Sequence, residues 1–207
     1  MQRQVNRTLY SGPTPAEQET ARTKFLQDDT RILERNTSDF LRRDPSVILA
    51  SISRNIHSIV YAYNINDEVK QAAIVEAKRQ GYVFHADTPL FMLQNAELIK
   101  QSAEKDINTI NFVPNQAWTS ELASFVYQLA LKNGYVLTSD SPRFLRSNVE
   151  IIKQTLRLDV NSGINIIWDR LQPEELIAIE RYIVENQLDY IINFKSPINF
   201  KRNIDIC

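Results

Sequence analysis

Leu122, Phe125, Val126, Leu129 and Ala130 recur at three- and four-residue spacing, the stripe of a helix with one apolar face. Thr119 ahead of them is a good N-cap, and Asn133-Gly134 behind them is a helix stop. Three other stretches share this grammar. Thr14-Pro15-Ala16-Glu17 is a capping box with proline at the first helical position. Residues 66–80 place Val69, Ala73, Ile74 and Ala77 on one face. Pro173 opens a fourth helix, with Glu174 and Glu175 suited to the positive end of its dipole and Leu176, Ile179, Tyr182 and Ile183 as its stripe.

Between these long helices the pattern is again shared. A Gly-Tyr-Val connector (Gly81-Tyr82-Val83, Gly134-Tyr135-Val136) leads to a proline, Pro89 or Pro142, that starts a short helical turn carrying Phe91 or Phe144. The Tyr-Val pairs are spaced too far apart for hairpins and read as a buried connector. Asn95 and Asn148 then cap a helix of about ten residues, the length set by where the apolar stripe stops. Its inward residues are Leu98, Ile99 and Ala103 in one copy and Ile151, Ile152 and Leu156 in the other. Asp106 and Asp159 end these helices and cap one more short turn, over residues 107–113 and 160–168.

These correspondences are an internal repeat. Residues 81–109 align with 134–162 at an offset of 53, and Gly163, taken as a one-residue insertion, brings Ile110-Asn111 onto Ile164-Asn165. Downstream, Tyr190-Ile191-Ile192, Ser196-Pro197 and Asn203-Ile204-Asp205-Ile206 fall on Tyr135, Ser141 and Asn148 and the residues after them, at an offset of 55. Upstream, Phe40-Leu41-Arg42, Asp44-Pro45-Ser46-Val47-Ile48 and Ile56-His57-Ser58-Ile59 form a first copy, 51 residues ahead of the second. Two amphipathic helices have no core of their own and bury their stripes by stacking on neighbours. The expected fold is all-α: tandem helical repeats of about 53 residues stacked as an α-solenoid, with a compact all-α bundle born of duplication as the alternative. Residues 1–14 are an N-terminal tail, and 15–207 form one domain with units near 15–66, 67–118, 119–172 and 173–207, the last incomplete. That incompleteness suggests a segment of a larger bacterial or viral protein.

Composition narrows the function classes. The chain has 207 residues, with 24 Lys+Arg against 25 Asp+Glu, so no global basic footprint marks a nucleic-acid binder. One cysteine, Cys207, excludes an internal disulfide framework, and two histidines make a zinc site improbable. Four glycines in all speak against dinucleotide and phosphate loops. No apolar run approaches a membrane span and no hydrophobic leader follows Met1, which points to the cytoplasm.

Candidate chemistry is sparse. Asp87 and Asp140 could be repeated ligands, but two residues before a proline they read better as turn residues. Tyr82, Tyr135 and Tyr190 could stack on a ligand and read better as core between repeats. His57 and His85 have no partner at catalytic spacing, and Cys207 lacks an activating base nearby. Arg42, Arg43, Arg143, Arg146, Lys201 and Arg202 fall at neighbouring positions of three copies, where stacking would make a broken basic stripe able to touch phosphates.

The segment Asp44-Pro45-Ser46-Val47-Ile48-Leu49-Ala50-Ser51-Ile52, followed by Ile56-His57-Ser58-Ile59-Val60-Tyr61-Ala62, resembles a short tandem α-helical repeat of unknown function found in large bacterial and protist proteins. In that repeat an Asp leads an aliphatic helix and a second turn ends in Tyr-Ala, although its units are shorter than these. The resemblance implies tandem helices in a large parent protein and carries no activity, cofactor or site. The leading expectation is a non-enzymatic interaction module or scaffold that binds a protein partner on a helical face, with no cofactor and no metal. A nucleic-acid-binding solenoid using the arginine stripe is the first alternative, and an enzyme with a non-local site around His57 or His85 the second.

Overall fold

A computed structural model describes residues 12–188 of the chain. Every regular element among them is helical, and no helix is long and apolar enough to cross a membrane. The chain falls into two compact units, Met1–Gln80 and Gly81–Cys207. The division lies inside the segment 67–118, between its long helix and the Gly-Tyr connector.

In the first unit, helix α1 (Pro15–Gln27) starts where the capping box predicts. Glu17 receives the Thr14 N–H at 2.8 Å, and Thr14 Oγ1 receives the Glu17 N–H at 3.3 Å. These bonds hold the Glu17 carboxyl below its usual range. After a turn and the short α2 (Asp39–Arg43), Asp44 caps α3 (Pro45–Arg54), accepting from the Ser46 and Val47 N–H groups. A six-residue 3-10 helix (Ile56–Tyr61) and α4 (Asp67–Gln80) complete the unit. Helix α3 is its centre: α1, α2, the 3-10 helix and α4 all pack on it, and Val47, Ile48 and Ile52 are buried there.

The second unit runs through α5 (Leu90–Leu93), α6 (Ala96–Lys105), a 3-10 helix (Ile107–Phe112), α7 (Ser120–Lys132), α8 (Arg143–Arg146), α9 (Val149–Leu158), a 3-10 helix (Val160–Asn165) and α10 (Pro173–Glu185). Asn95 and Asn148 cap α6 and α9 through their side chains, and both helices are ten residues long. Their predicted inward residues are each at most 1% exposed. Helix α9 packs against α7 on one side and α10 on another.

Several boundaries differ in detail from the sequence reading. Pro89 and Pro142 stand at the N-cap of α5 and α8, and the residues those turns bury are Met92 and Leu145, not the aromatics beside them. The 3-10 helices capped by Asp106 and Asp159 have six residues each and close with equivalent bonds, Val113 N–H to Ile110 O and Ile166 N–H to Gly163 O. Gly163 is therefore the counterpart of Ile110 and no insertion exists there. The hydrophobic match to Ile164 is coincidental, because the backbone ring and not the side chain fixes the register.

Helix stops set a second register. Gly81 (φ +67°) and Gly134 (φ +64°) end α4 and α7 in the left-handed region, and the Tyr135 N–H reaches back to Ala130 O. Gln187 (φ +50°) does the same after α10, where the Leu188 N–H meets Ile183 O. Leu188 therefore occupies the place of Tyr135, two residues before the position that an offset of 55 assigns to Tyr190. Tyr190 itself lies outside the described residues, as do Ser196, Lys201, Arg202, Asn203 and Cys207.

A left-handed glutamine shows that this stop tolerates an unbranched side chain. A β-branched one is different. Gly134→Val is expected to cost about 1–3 kcal/mol, visible as a lower thermal midpoint than that of Lys132→Ala at an exposed neighbouring position. Equal midpoints for the two variants would show that no such strain exists at residue 134.

Candidate interaction site

One buried polar contact recurs with its spacing unchanged. The Leu33 N–H donates to Ser51 Oγ (2.7 Å), the Phe84 N–H to Ser102 Oγ (2.9 Å) and the Leu137 N–H to Thr155 Oγ1 (3.2 Å), each across 18 residues. All three hydroxyl residues are 0% exposed. A connector buried beside a helix needs partners for its amides, and these hydroxyls supply them. A second bond recurs at the next turn: the Glu34, His85 and Thr138 N–H groups donate to Thr37 Oγ1, Thr88 Oγ1 and Ser141 Oγ at 2.9, 2.9 and 2.7 Å.

The connector tyrosines are core. Tyr82 and Tyr135 are buried, with Oη at 3.2 Å from Thr88 Oγ1 and 2.6 Å from Ser141 Oγ, and the Tyr135 hydroxyl also donates to Asn111 Oδ1. Burial pushes both phenols above their ordinary pKa, so they stay neutral donors. Asp87 and Asp140 are exposed at the same turns, and the Asp87 N–H donates to His85 Nδ1 at 3.3 Å. The other ring nitrogen of His85, Nε2, lies 2.8 Å from Tyr82 Oη. His57 is exposed in a cap, its N–H donating to Asn55 Oδ1.

The arginines of the expected stripe divide into two kinds. Arg42 is turned inward: its side chain is 11% exposed, Nε donates to Tyr61 O at 2.6 Å and the guanidinium lies 3.9 Å from the centre of the Tyr63 ring. Its own carbonyl accepts the Tyr63 N–H. Arg146 repeats this clamp, with Nε to Asn165 O at 2.6 Å and its carbonyl accepting the Ile167 N–H. The intervening segment has lost both halves together. Leu93 replaces the arginine, and Pro114, at the place of Tyr63 and Ile167, has no N–H to give. Arg43 and Arg143 are exposed. Arg42 and Arg43 belong to the first unit and Arg143 and Arg146 to the second.

Among the described residues no three His, Cys, Asp or Glu side chains gather as metal ligands. Two surface clefts stand out instead. In the second unit an open, shallow groove of about 620 Å³ lies along one face of α7, lined by that helix alone, with Phe125 and Leu129 one helical turn apart, Ser124 and Gln128 beside them and Glu121 and Lys132 at its ends. The Lys100 ammonium borders it, 2.9 Å from Glu121 and 5.8 Å from the Phe125 ring centre. This pair lowers the Glu121 carboxyl and raises the Lys100 ammonium, each chiefly by their mutual hydrogen bond. In the first unit a cleft of about 540 Å³ opens beside the 28–38 turn, near Thr37. The sequence hides it, because between the first helix and Phe40 the first copy shows no match to the others.

Comparison with family models, with curated proteins and with solved structures finds no match to this chain.

Proposed function

We propose that this chain is a non-enzymatic module of tandem helical units, stacked as an α-solenoid, that binds a protein partner on a helical face. The groove along α7 carries this reading. Phe125 and Leu129 offer half-buried apolar surface at i and i+4, one turn apart on α7, a face against which the apolar stripe of a partner helix can pack. Lys132 leaves a positive charge at one end, while at the other Glu121 is already paired with Lys100, an asymmetry that would favour one direction of a bound segment. The polar residues that recur along the chain support the same reading, since caps, turn hydroxyls and the two arginine clamps spend their hydrogen bonds on the fold itself.

A photo-crosslinking residue placed at Gln128 is expected to capture one protein in the native cell, and Phe125→Ser to abolish the adduct. The same residue at exposed Glu19 serves as the control. Identical adducts from both positions, or an adduct indifferent to Phe125→Ser, would rule the groove out.

A further inference from the structure

In the second unit each turn hydroxyl is covered by a tyrosine. Tyr82 and Tyr135 are 1% and 2% exposed, and Thr88 and Ser141 beneath them are buried. The first unit has the same turn with the same backbone bonds. The Leu33 N–H meets Ser51 Oγ, as the Phe84 and Leu137 N–H groups meet their hydroxyls, and the Glu34 N–H meets Thr37 Oγ1. Two residues before Leu33, however, the chain carries Arg31 where the second unit carries tyrosine. Its side chain is half exposed and pairs with Asp28 (3.2 Å). Thr37 is only half-buried, and the 540 Å³ cleft lies against it, lined among others by Phe25, Arg31, Ile32, Glu34 and Leu41.

We propose that this cleft is a binding site for a tyrosine side chain presented by a partner polypeptide. It adjoins the turn hydroxyl Thr37, as the phenols of Tyr82 and Tyr135 adjoin Thr88 and Ser141 in the second unit. Thr37 Oγ1 already accepts the Glu34 N–H and has a second lone pair for a phenolic O–H. Phe25 and Leu41 supply apolar wall, and the Arg31 guanidinium at the lining can face the ring. That the phenol comes from a polypeptide rests on the interaction-module reading; the phenol site itself rests on the turn.

The test is titration of the full chain with p-cresol, followed by amide chemical shifts. Saturable shifts confined to residues near 25–41 are expected, with a dissociation constant of about millimolar for so small a ligand. Toluene, lacking the hydroxyl, should bind roughly five- to ten-fold more weakly. Arg31→Tyr should fill the cleft from within, raise the thermal midpoint and abolish cresol binding. Thr37→Val should bring cresol down to toluene, and decides the matter if Arg31→Tyr does not fold. Shifts that scatter or fail to saturate, toluene binding as well as cresol, or cresol binding untouched in Arg31→Tyr would each overturn the proposal. Cresol bound at this turn with no partner captured through the α7 groove would sink the module reading alone. A captured partner with no cresol site would sink the phenol site alone.

Discussion

Tyr135→Ala is expected to destabilise the second unit by about 3–5 kcal/mol, the range for removing a fully buried aromatic ring. The ring is 2% exposed and sits where the connector leaves α7. Its loss removes apolar burial and opens a cavity under the Ser141 turn. Tyr135→Phe isolates the polar part. It keeps the ring but strips a donor from Asn111 Oδ1 and a partner from Ser141 Oγ. A cost of about 1–2 kcal/mol follows if Asn111 Oδ1 and the Ser141 hydroxyl stay dry. Urea midpoints of the two variants separate packing from hydrogen bonding. Equal losses would mean that the hydroxyl carries the whole effect, and no loss in Tyr135→Phe would mean that water replaces it.

The second large effect is expected at Thr155. Thr155→Val keeps the side-chain shape and removes the acceptor of the Leu137 N–H, both residues being 0% exposed. A buried amide left without a partner costs about 1–3 kcal/mol. Thr155→Ser retains the oxygen, and serine holds the corresponding place at residues 51 and 102, so it should cost less than the valine variant despite the lost methyl. Chemical denaturation of the pair is decisive. If valine is tolerated as well as serine, the recurring contact does not hold the connector.

The caps were legible in the sequence because their chemistry is local. Thr14 with Glu17, Asn95, Asn148, Asp106 and Asp159 all bond backbone amides two or three residues ahead, and side chains suited to that task are few. The burial of the connectors was legible because the Gly-Tyr-Val pattern recurs. Ser51, Ser102 and Thr155 were not legible: their partners are amides 18 residues back, and every residue but proline has an amide. Arg42 and Arg146 look like part of a phosphate stripe in the sequence for the same reason. The carbonyls of Tyr61 and Asn165 that hold them have no signature in the sequence. The α7 groove was half legible, since Phe125 and Leu129 were placed on the apolar stripe, yet periodicity cannot say which stripe residues stay at the rim.

The hydroxyl-to-amide bonds have a kinetic side. Each closes a loop of 18 residues, and the arginine clamps close loops of 19. The entropy of closing a loop rises only with the logarithm of its length, so these cycles form at nearly equal cost in every segment. Contacts this close in sequence are the kind that form early, before long-range ones. Each segment can then order around its own hydroxyl before distant parts of the chain meet. The amide protons of Leu33, Phe84 and Leu137, sealed at the closing bonds of those loops, are expected to be the slowest to exchange within their own stretches, three separate reporters of local opening along one polypeptide.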